Sequence, residues 1–427
     1  MLDKYFRLKE HNTNVKTEMV AGITTFMTMA YILVVQPSFM AAAGMDVGAV
    51  TVATALLSAV FSLFMGLYTN LPFALAPAMG SNAFFAYTLV AGGVVSWETG
   101  LGMVFISGVL FLLLTLFGLR EVIVKLIPKN IKLAIGVAVG FYIALLGFKN
   151  GGLMQIDNSI KMGDVKSPGV LLTIIGLVVM VFLTARKVKG AVLIGILVTT
   201  LIGIPMGVTH MPESLVSMPP SIAPIAFKLD IMGALKWSFF PLMFTFFVGD
   251  FFSTLGTVLG VSAKAGLLDE NGDLPNINKP FLVDAIATVV GAVFGSTVVT
   301  TYIESASGVE EGGRTGLTAV ITGICFALTI FVTPIAGMIP NEATAPGLIL
   351  IGLLMISGIK SIEFDDFTEA FPAFATILFT AYTSSISNGI SIGIISYTLT
   401  KLLAGKHKEL NWGIYILCIP LVMYFIL

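Results

Sequence analysis

Apolar runs of membrane-crossing length recur along the whole chain, and the polar positions between them are few and clustered. One set of runs lies at about 19–43, 47–69, 72–92, 100–119, 131–148, 168–185 and 190–209. A second lies at about 236–262, 281–296, 297–313 (irregular), 316–339, 344–359, 368–384 and 387–404, and a last run, 411–427, stands outside both. A helix crosses the hydrocarbon core with roughly 20 apolar residues, so the pattern predicts an all-α polytopic membrane protein. Between the sets, MPESLVSMPPSIAPIAFKLD is Pro-rich and poorly helical. The chain therefore divides into a tail (1–18), a first set (19–210), a linker (211–233), a second set (234–405) and an extra apolar segment (406–427).

Composition agrees: 56% of the residues are hydrophobic, 11% are charged and the mean hydropathy is +0.98, where soluble domains carry about 25% charged residues. The net charge of −1 argues against a nucleic-acid partner. Cys325 and Cys418 sit in apolar runs and read as packing residues. His11, His210 and His407 fall in tails or at segment ends. No metal site and no cofactor are expected. The N-terminal stretch lacks the short apolar core and small-residue site of a cleaved signal peptide.

Lys and Arg bias sets the expected orientation. Lys4, Arg7, Lys9 and Lys16 precede the first segment; Arg120, Lys125, Lys129 and Lys132 follow the fourth; Arg186, Lys187 and Lys189 follow the sixth. This places the N-terminus in the cytoplasm, with Trp97 and Trp237 at segment ends on the other side. Seven crossings in the first set would make the second enter inverted. A faint internal repeat supports this: AAAG at 41–44 matches AKAG at 263–266, and at the same offset Thr28 meets Asp250 and Asn82 meets Glu304 (250 − 28 and 304 − 82 both give 222). Near the ends, IGILVTTL at 194–201 resembles IGIISYTL at 392–399. Inverted repeats with a midplane site on discontinuous helices are a transporter arrangement.

The charge map selects the site. Asp250 has 13 uncharged residues on each side before Lys236 and Lys264, which puts it near mid-bilayer on a helix rising about 1.5 Å per residue. A carboxylate there binds substrate or a proton, or else is a structural acid held by a neighbouring Ser or Thr. GSTVVTTY, residues 295–302, is β-branched and favours extended chain. A turn near Gly295 would bring Glu304 back to mid-depth at the start of a half-helix, ESASG; the alternative is an interfacial Glu beside Glu310 and Glu311. In the first set, 51 uncharged residues separate Asp46 from Glu98, interrupted by NLP and APAMGSN. Pro72, Pro77 and Gly80 predict extended chain over 72–80 and a half-helix beginning near Ser81–Asn82. Asn82 is then a ligand-facing amide, a helix N-cap, or both.

Such a pocket offers carboxylates, an amide and hydroxyls, and no cation to hold an anion. It suits a neutral planar ring rich in N–H donors, of which a nucleobase is the obvious example. Phe84, Phe85, Phe251 and Phe252 stand beside the polar positions, either to stack on a ring or simply to pack. Besides Glu304, Asp250 and Asn82, the candidates are Thr28, Ser81, Ala83, Ser305 and Phe251.

GSTVVTTYIESASGV followed by EGGRTGL, GDFFSTLGTVLGVSAKAGLL, AMGSNAFFAY and GITTFMTMAYILVVQP together resemble the AzgA-like purine permeases of the nucleobase–ascorbate (xanthine/uracil permease) superfamily. The resemblance covers essentially the whole chain. It implies two inverted repeats of seven segments, a core domain (about 19–119 plus 234–340) and a gate domain (about 120–210 plus 341–405). It also implies proton-coupled uptake of hypoxanthine, guanine or adenine across the cell (inner) membrane, and a homodimer. Glu304 and Asp250 match the family's two substrate-binding acids, and Asn82 matches the polar residue of the third segment. Where many relatives carry a further acid three residues after the position of Asp250, this chain has Ser253. Asp250 is also the candidate for the coupling proton. Two other classes compete. An intramembrane enzyme would need a nucleophile–base pair or metal ligands, and neither His nor Cys lies near the two acids. A channel or anion exchanger would want rings of charge or a cationic site.

Overall fold

The structure, a computed structural model, describes residues 2–118, 127–156, 160–212, 214, 216–269 and 274–426. Arg120 and Lys125, two of the orientation-setting cations, and two positions of the linker lie outside these. The first half contains α1 (Val15–Met29), α2 (Ile32–Ala42), α3 (Val47–Thr69), β1 (Leu75–Pro77), α4 (Met79–Ala83, continued as a π-helical stretch Phe84–Val90) and α5 (Trp97–Leu116). It goes on with α6 (Lys129–Asn150), a hairpin of β2 (Met154–Ile156) and β3 (Ile160–Met162), α7 (Pro168–Ala185) and α8 (Ala191–Gly203). The second half contains α9 (Phe240–Ala265), α10 (Asn278–Val293), β4 (Val299–Thr301), α11 (Ser305–Glu310) and α12 (Gly316–Thr329). It ends with α13 (Asn341–Ile356), α14 (Phe367–Thr383), α15 (Ile386–Leu403) and α16 (Trp412–Ile426). Among the described residues, eight helices are long and apolar enough to cross a membrane.

Local chemistry starts these helices where they start. Side-chain oxygens of Asn14, Asp46, Ser96, Ser167, Asp366 and Ser385 accept from backbone N–H groups in the first turns of α1, α3, α5, α7, α14 and α15, satisfying donors that no helical partner reaches. The EGGRTGL stretch is a tied corner. Buried Glu18 of α1 accepts from Arg314 N (2.9 Å), Thr318 N (3.1 Å) and Thr318 Oγ1 (2.5 Å). The Arg314 guanidinium turns back onto the carbonyls of Val309 and Gly313.

Two bundles result. In the first, α3 and α1 pack on α12, and α5 packs on α10 and α9. In the second, α6 packs on α13 and α14, α7 on α8 and α13, and α14 on α15. Each bundle is keyed by a glycine pair at which backbones touch: Gly66 of α3 against Gly316 of α12, and Gly140 of α6 against Gly352 of α13. Between helices in lipid, close backbone approach supplies the packing that the hydrophobic effect does not.

Polar links join the bundles at the end where α2 and α6 finish and α9 and α15 begin. Ser38 donates to Asn341 (2.8 Å), Asn150 to Tyr87 (2.7 Å), and Thr88 to the Ser384 carbonyl (2.8 Å); Thr88 also meets the Tyr142 hydroxyl at 3.0 Å. At the opposite end, Lys189 pairs with Glu311 and Lys132 lies 5.0 Å over the Phe252 ring.

The run left outside the repeat scheme becomes α16, which packs on α15 and reaches α9. An ionic cluster holds the chain just before it. Lys401, 1% exposed, meets Glu409 at 2.6 Å and Glu369 at 2.9 Å, and Lys406 meets Asp366 at 2.5 Å. Through Lys406 and Thr368 the Asp366 carboxyl is held well below the usual carboxylate range.

The glycine contacts make a direct prediction. At Gly66 the nearest neighbour of an added Cβ is backbone, which cannot rotate away. Gly66→Leu should cost about 1–3 kcal/mol by overpacking, read as a lower thermal midpoint of the purified protein. Gly256, around which a Cβ has open space, should tolerate Ala without that loss.

Candidate functional site

The site grows from two short strands. After Asn70, which ends α3 in a left-handed turn, the chain runs extended to Pro77. After α10, Gly295 takes φ +80° with Ile225 of the linker packed against it, and the chain runs back as β4. The strands pair antiparallel, Leu75 opposite Thr301 and Pro77 opposite Val299, and the pairing extends through Ala78 N to Val298 O (2.8 Å) and Tyr302 N to Ala74 O (3.0 Å). Pro77, with no N–H to offer, sits at the strand's end.

A two-stranded ribbon buried in a membrane protein has two open edges, and each unpaired backbone group there costs several kcal/mol. Side chains close both. Ser62 of α3 accepts from Leu75 N (2.9 Å) and donates to Leu75 O (3.3 Å). Thr288 of α10 accepts from Val299 N (3.3 Å), and Asp284, one turn earlier, accepts from Thr301 N (2.7 Å). The first half thus uses Ser62 where the second uses Thr288.

Asp250 lies on α9 facing this second edge. It is 2% exposed, and its Oδ2 accepts from Thr288 at 2.8 Å. Thr288 has one hydroxyl hydrogen, which Val299 O meets only at 3.2 Å, so the shorter bond to Asp250 is the stronger claim on it. Asp250 Oδ1 is buried without a hydrogen-bond partner, and the Asp284 carboxyl lies beside it. Two ionised carboxylates are both acceptors. Asp284 is otherwise well satisfied, by Thr254 (2.7 Å) and Thr300 (3.2 Å) as well as Thr301 N.

Asn82 is 0% exposed; its Oδ1 accepts from the Thr297 hydroxyl and its Nδ2 is buried without a partner. Glu304 is half-buried at the entry to α11, and its Oε1 accepts from the Tyr31 hydroxyl at 2.6 Å. Asn82, Asp250 and Glu304 are therefore all tied to one stretch of chain, 288–304, through Thr297, Thr288 and Glu304 itself. A carboxylate, an amide N–H and a carboxyl pair are arranged around paired strands, an array of hydrogen-bonding groups with no cation in it.

Several expectations need correction. The half-helix begins at Met79, two residues early, so Asn82 is inside it and donates its own N–H to Ala78 O; it is not an N-cap. Gly80 has no positive φ; its small size admits Val139. Phe251 is fully buried in an aromatic cluster with Phe111, Phe247 and Phe281, so its ring is not available to stack on a ligand. Phe84 packs on Phe246, and Phe85 lies close to Gly100. Thr28 spends its hydroxyl on the Thr24 and Thr25 carbonyls of its own helix. Ser305 accepts from Ala74 N (3.0 Å), another strand-edge bond. Ser81 faces Gly249 across α4 and α9, and Ala83 is buried with its carbonyl accepting from Tyr142. Sequence reasoning missed Asp284, Thr288, Thr297 and Tyr31. Asp284 carried a signal: a lone acid with Thr288 one turn on, inside an apolar helix.

Two cavities lie elsewhere. One of about 160 Å³ is bounded by Trp237, Phe239, Met423 and Tyr424. Another, of about 300 Å³, is lined by Lys149, Asn150, Gln155, Asp164 and Glu342. Neither touches Asn82, Asp250 or Glu304.

The model of the Permease family (Xan_ur_permease) matches residues 16–392. The chain is 43% identical to the adenine permease AdeQ of Escherichia coli, over 99% of this chain and 94% of that one. It is 40% identical to the guanine/hypoxanthine permease PbuO of Bacillus subtilis, over 98% and 97%. Among solved structures, the transmembrane domain of the cyanobacterial bicarbonate transporter BicA superposes with a TM-score of 0.66 at 16% identity, over 89% of this chain and 97% of that one, a likeness of fold.

Removing the edge acceptor tests the local account. Thr288→Val keeps shape but strips the hydroxyl that serves Val299 N and Asp250. It should lower stability by about 1–3 kcal/mol, seen as a lower thermal midpoint. Thr288→Ser should stay near the parent, and equal stability of all three would contradict the edge-closing role.

Proposed function

The chain belongs to the Permease family, and from that premise we propose that it takes up purine nucleobases, hypoxanthine and guanine with adenine as the alternative, by proton symport. It is a transporter and not an enzyme. The observation that carries the substrate reading is the pairing of Glu304, a half-buried acceptor, with Asn82, whose Nδ2 is a buried donor without a partner. A purine base presents both N–H donors and ring or carbonyl acceptors, and so complements both. Names of relatives at about this chain's full length point to the same bases.

Asp250 is the candidate for the coupling proton, because its carboxyl is buried with one oxygen lacking any hydrogen-bond partner and with the Asp284 carboxyl beside it. In this reading a proton enters with substrate from outside and leaves toward the cytoplasm. The bundle of α1–α5 and α9–α12 serves as core, with bounds near 19–119 and 234–340. The bundle of α6–α8 and α13–α15 serves as gate, with bounds near 120–210 and 341–405. The core moves against the gate with its site largely intact, in two halves related as inverted repeats. The protein sits in the cell (inner) membrane with its N-terminus in the cytoplasm, as a homodimer.

Three measurements test this. Hypoxanthine and guanine should compete in uptake, while nucleosides should compete far less, because ribose blocks N9–H and adds bulk; equal competition by inosine would refute base recognition. Glu304→Gln turns one acceptor into a donor facing substrate N–H groups. It should lose detectable binding, since a charge-assisted bond worth about 1.5–3 kcal/mol is replaced by a clash. Asp250→Asn should still bind and exchange substrate in counterflow, yet fail to accumulate it in response to a pH gradient. Accumulation by that variant would remove Asp250 from the coupling step.

A further inference from the structure

Tyr31 lies where the first crossing changes helix. Between α1 and α2 the backbone ladder tightens, with Leu33 N bonding to Ala30 O and Val34 N to Tyr31 O, each at 3.1 Å. This turn directs the Tyr31 side chain into the protein, where it is 2% exposed. Its hydroxyl donates to Glu304 Oε1 at 2.6 Å, across 273 residues of sequence. The neighbouring phenol, Tyr302, is committed elsewhere, donating to the Pro77 carbonyl at 2.5 Å. Among the described residues, Tyr31 is the side chain that donates to Glu304.

We propose that Tyr31 is a positioning residue that sets which purine edge Glu304 reads, by holding the carboxylate in one orientation and occupying Oε1. The inference rests on the reading of Glu304 as the acceptor of purine N–H groups. A free carboxylate has two oxygens and favours two adjacent donors in a fork. Guanine has such an edge, N1–H beside the exocyclic amine. Hypoxanthine has N1–H beside a carbonyl oxygen. With Tyr31 on Oε1, a second donor would have to share that oxygen with the phenol, so guanine's second donor gains less there. The two bases are then treated more nearly alike than a free carboxylate would treat them. A half-buried acid in a flexible rotamer would also lose affinity to the ordering of its side chain; the hydroxyl removes that cost in advance.

The test is equilibrium binding of radiolabelled hypoxanthine to purified protein, with unlabelled guanine as competitor, for the parent and for Tyr31→Phe. That substitution keeps the ring and removes only the hydroxyl. Hypoxanthine affinity should fall by about tenfold. Guanine should fall less, so that the guanine-to-hypoxanthine affinity ratio rises by at least about fivefold, the freed oxygen now completing the fork. Tyr31→Gln, which restores a donor, should bring the ratio back toward the parent. A purely structural tyrosine would weaken both bases by the same factor. An unchanged ratio in Tyr31→Phe therefore overturns the proposal. Glu304→Gln measured on the same footing separates the two levels: if it binds hypoxanthine as the parent does, the premise about Glu304 fails, whatever Tyr31 does.

Discussion

Two three-residue strands buried between membrane helices impose the constraint on which this structure turns. Extended backbone cannot satisfy its own N–H and C=O groups, and lipid offers no substitute. β1 and β4 meet half of that demand by pairing with each other. The other half is met by Ser62 on one edge and by Thr288 and Asp284 on the other. Because the strands come from opposite halves of the chain, their pairing also locks the halves together, with Asn82 on the half-helix after β1 and Glu304 at the entry to the one after β4.

Asymmetry between the two edges turns a structural device into a chemical one. A serine hydroxyl closes the β1 edge and carries no charge. The β4 edge uses an acid, Asp284, and Asp250 of α9 reaches the same edge through Thr288. Thr288 serves both, since the same hydroxyl oxygen accepts from Val299 N and donates to Asp250. One hydroxyl thus joins Asp250 to the strand that leads to Glu304. The fold is shared with a bicarbonate transporter domain at only 16% identity. Fold does not set the ligand; side chains at the site do.

Much of this was legible in the sequence, for identifiable reasons. Apolar run lengths pointed to the long apolar helices, of which eight among the described residues could span a membrane, and GSTVVTTY pointed to an extended segment because β-branched residues without Ala or Leu resist helix. Gly295 was readable as the turn, and it takes φ +80°. Partners across space were not legible. Tyr31 and Glu304 are 273 residues apart, and nothing in MAYILVV marks one tyrosine as a donor. Phe251 beside Asp250 invited a stacking role, but successive helical residues point in different directions, and it turns into Phe111 and Phe281 instead. Asp284 lies near the start of its apolar run, and the strand-edge N–H groups it serves are set by a fold in space that sequence does not show.

A structure determined with hypoxanthine bound tests the central claim most directly. The account predicts the base seated at the paired strands, with an N–H within hydrogen-bond distance of Glu304 and a ring or carbonyl acceptor facing Asn82 Nδ2. A base found instead in the cavity bordered by Lys149 and Glu342, with Asn82 and Glu304 untouched, would contradict it.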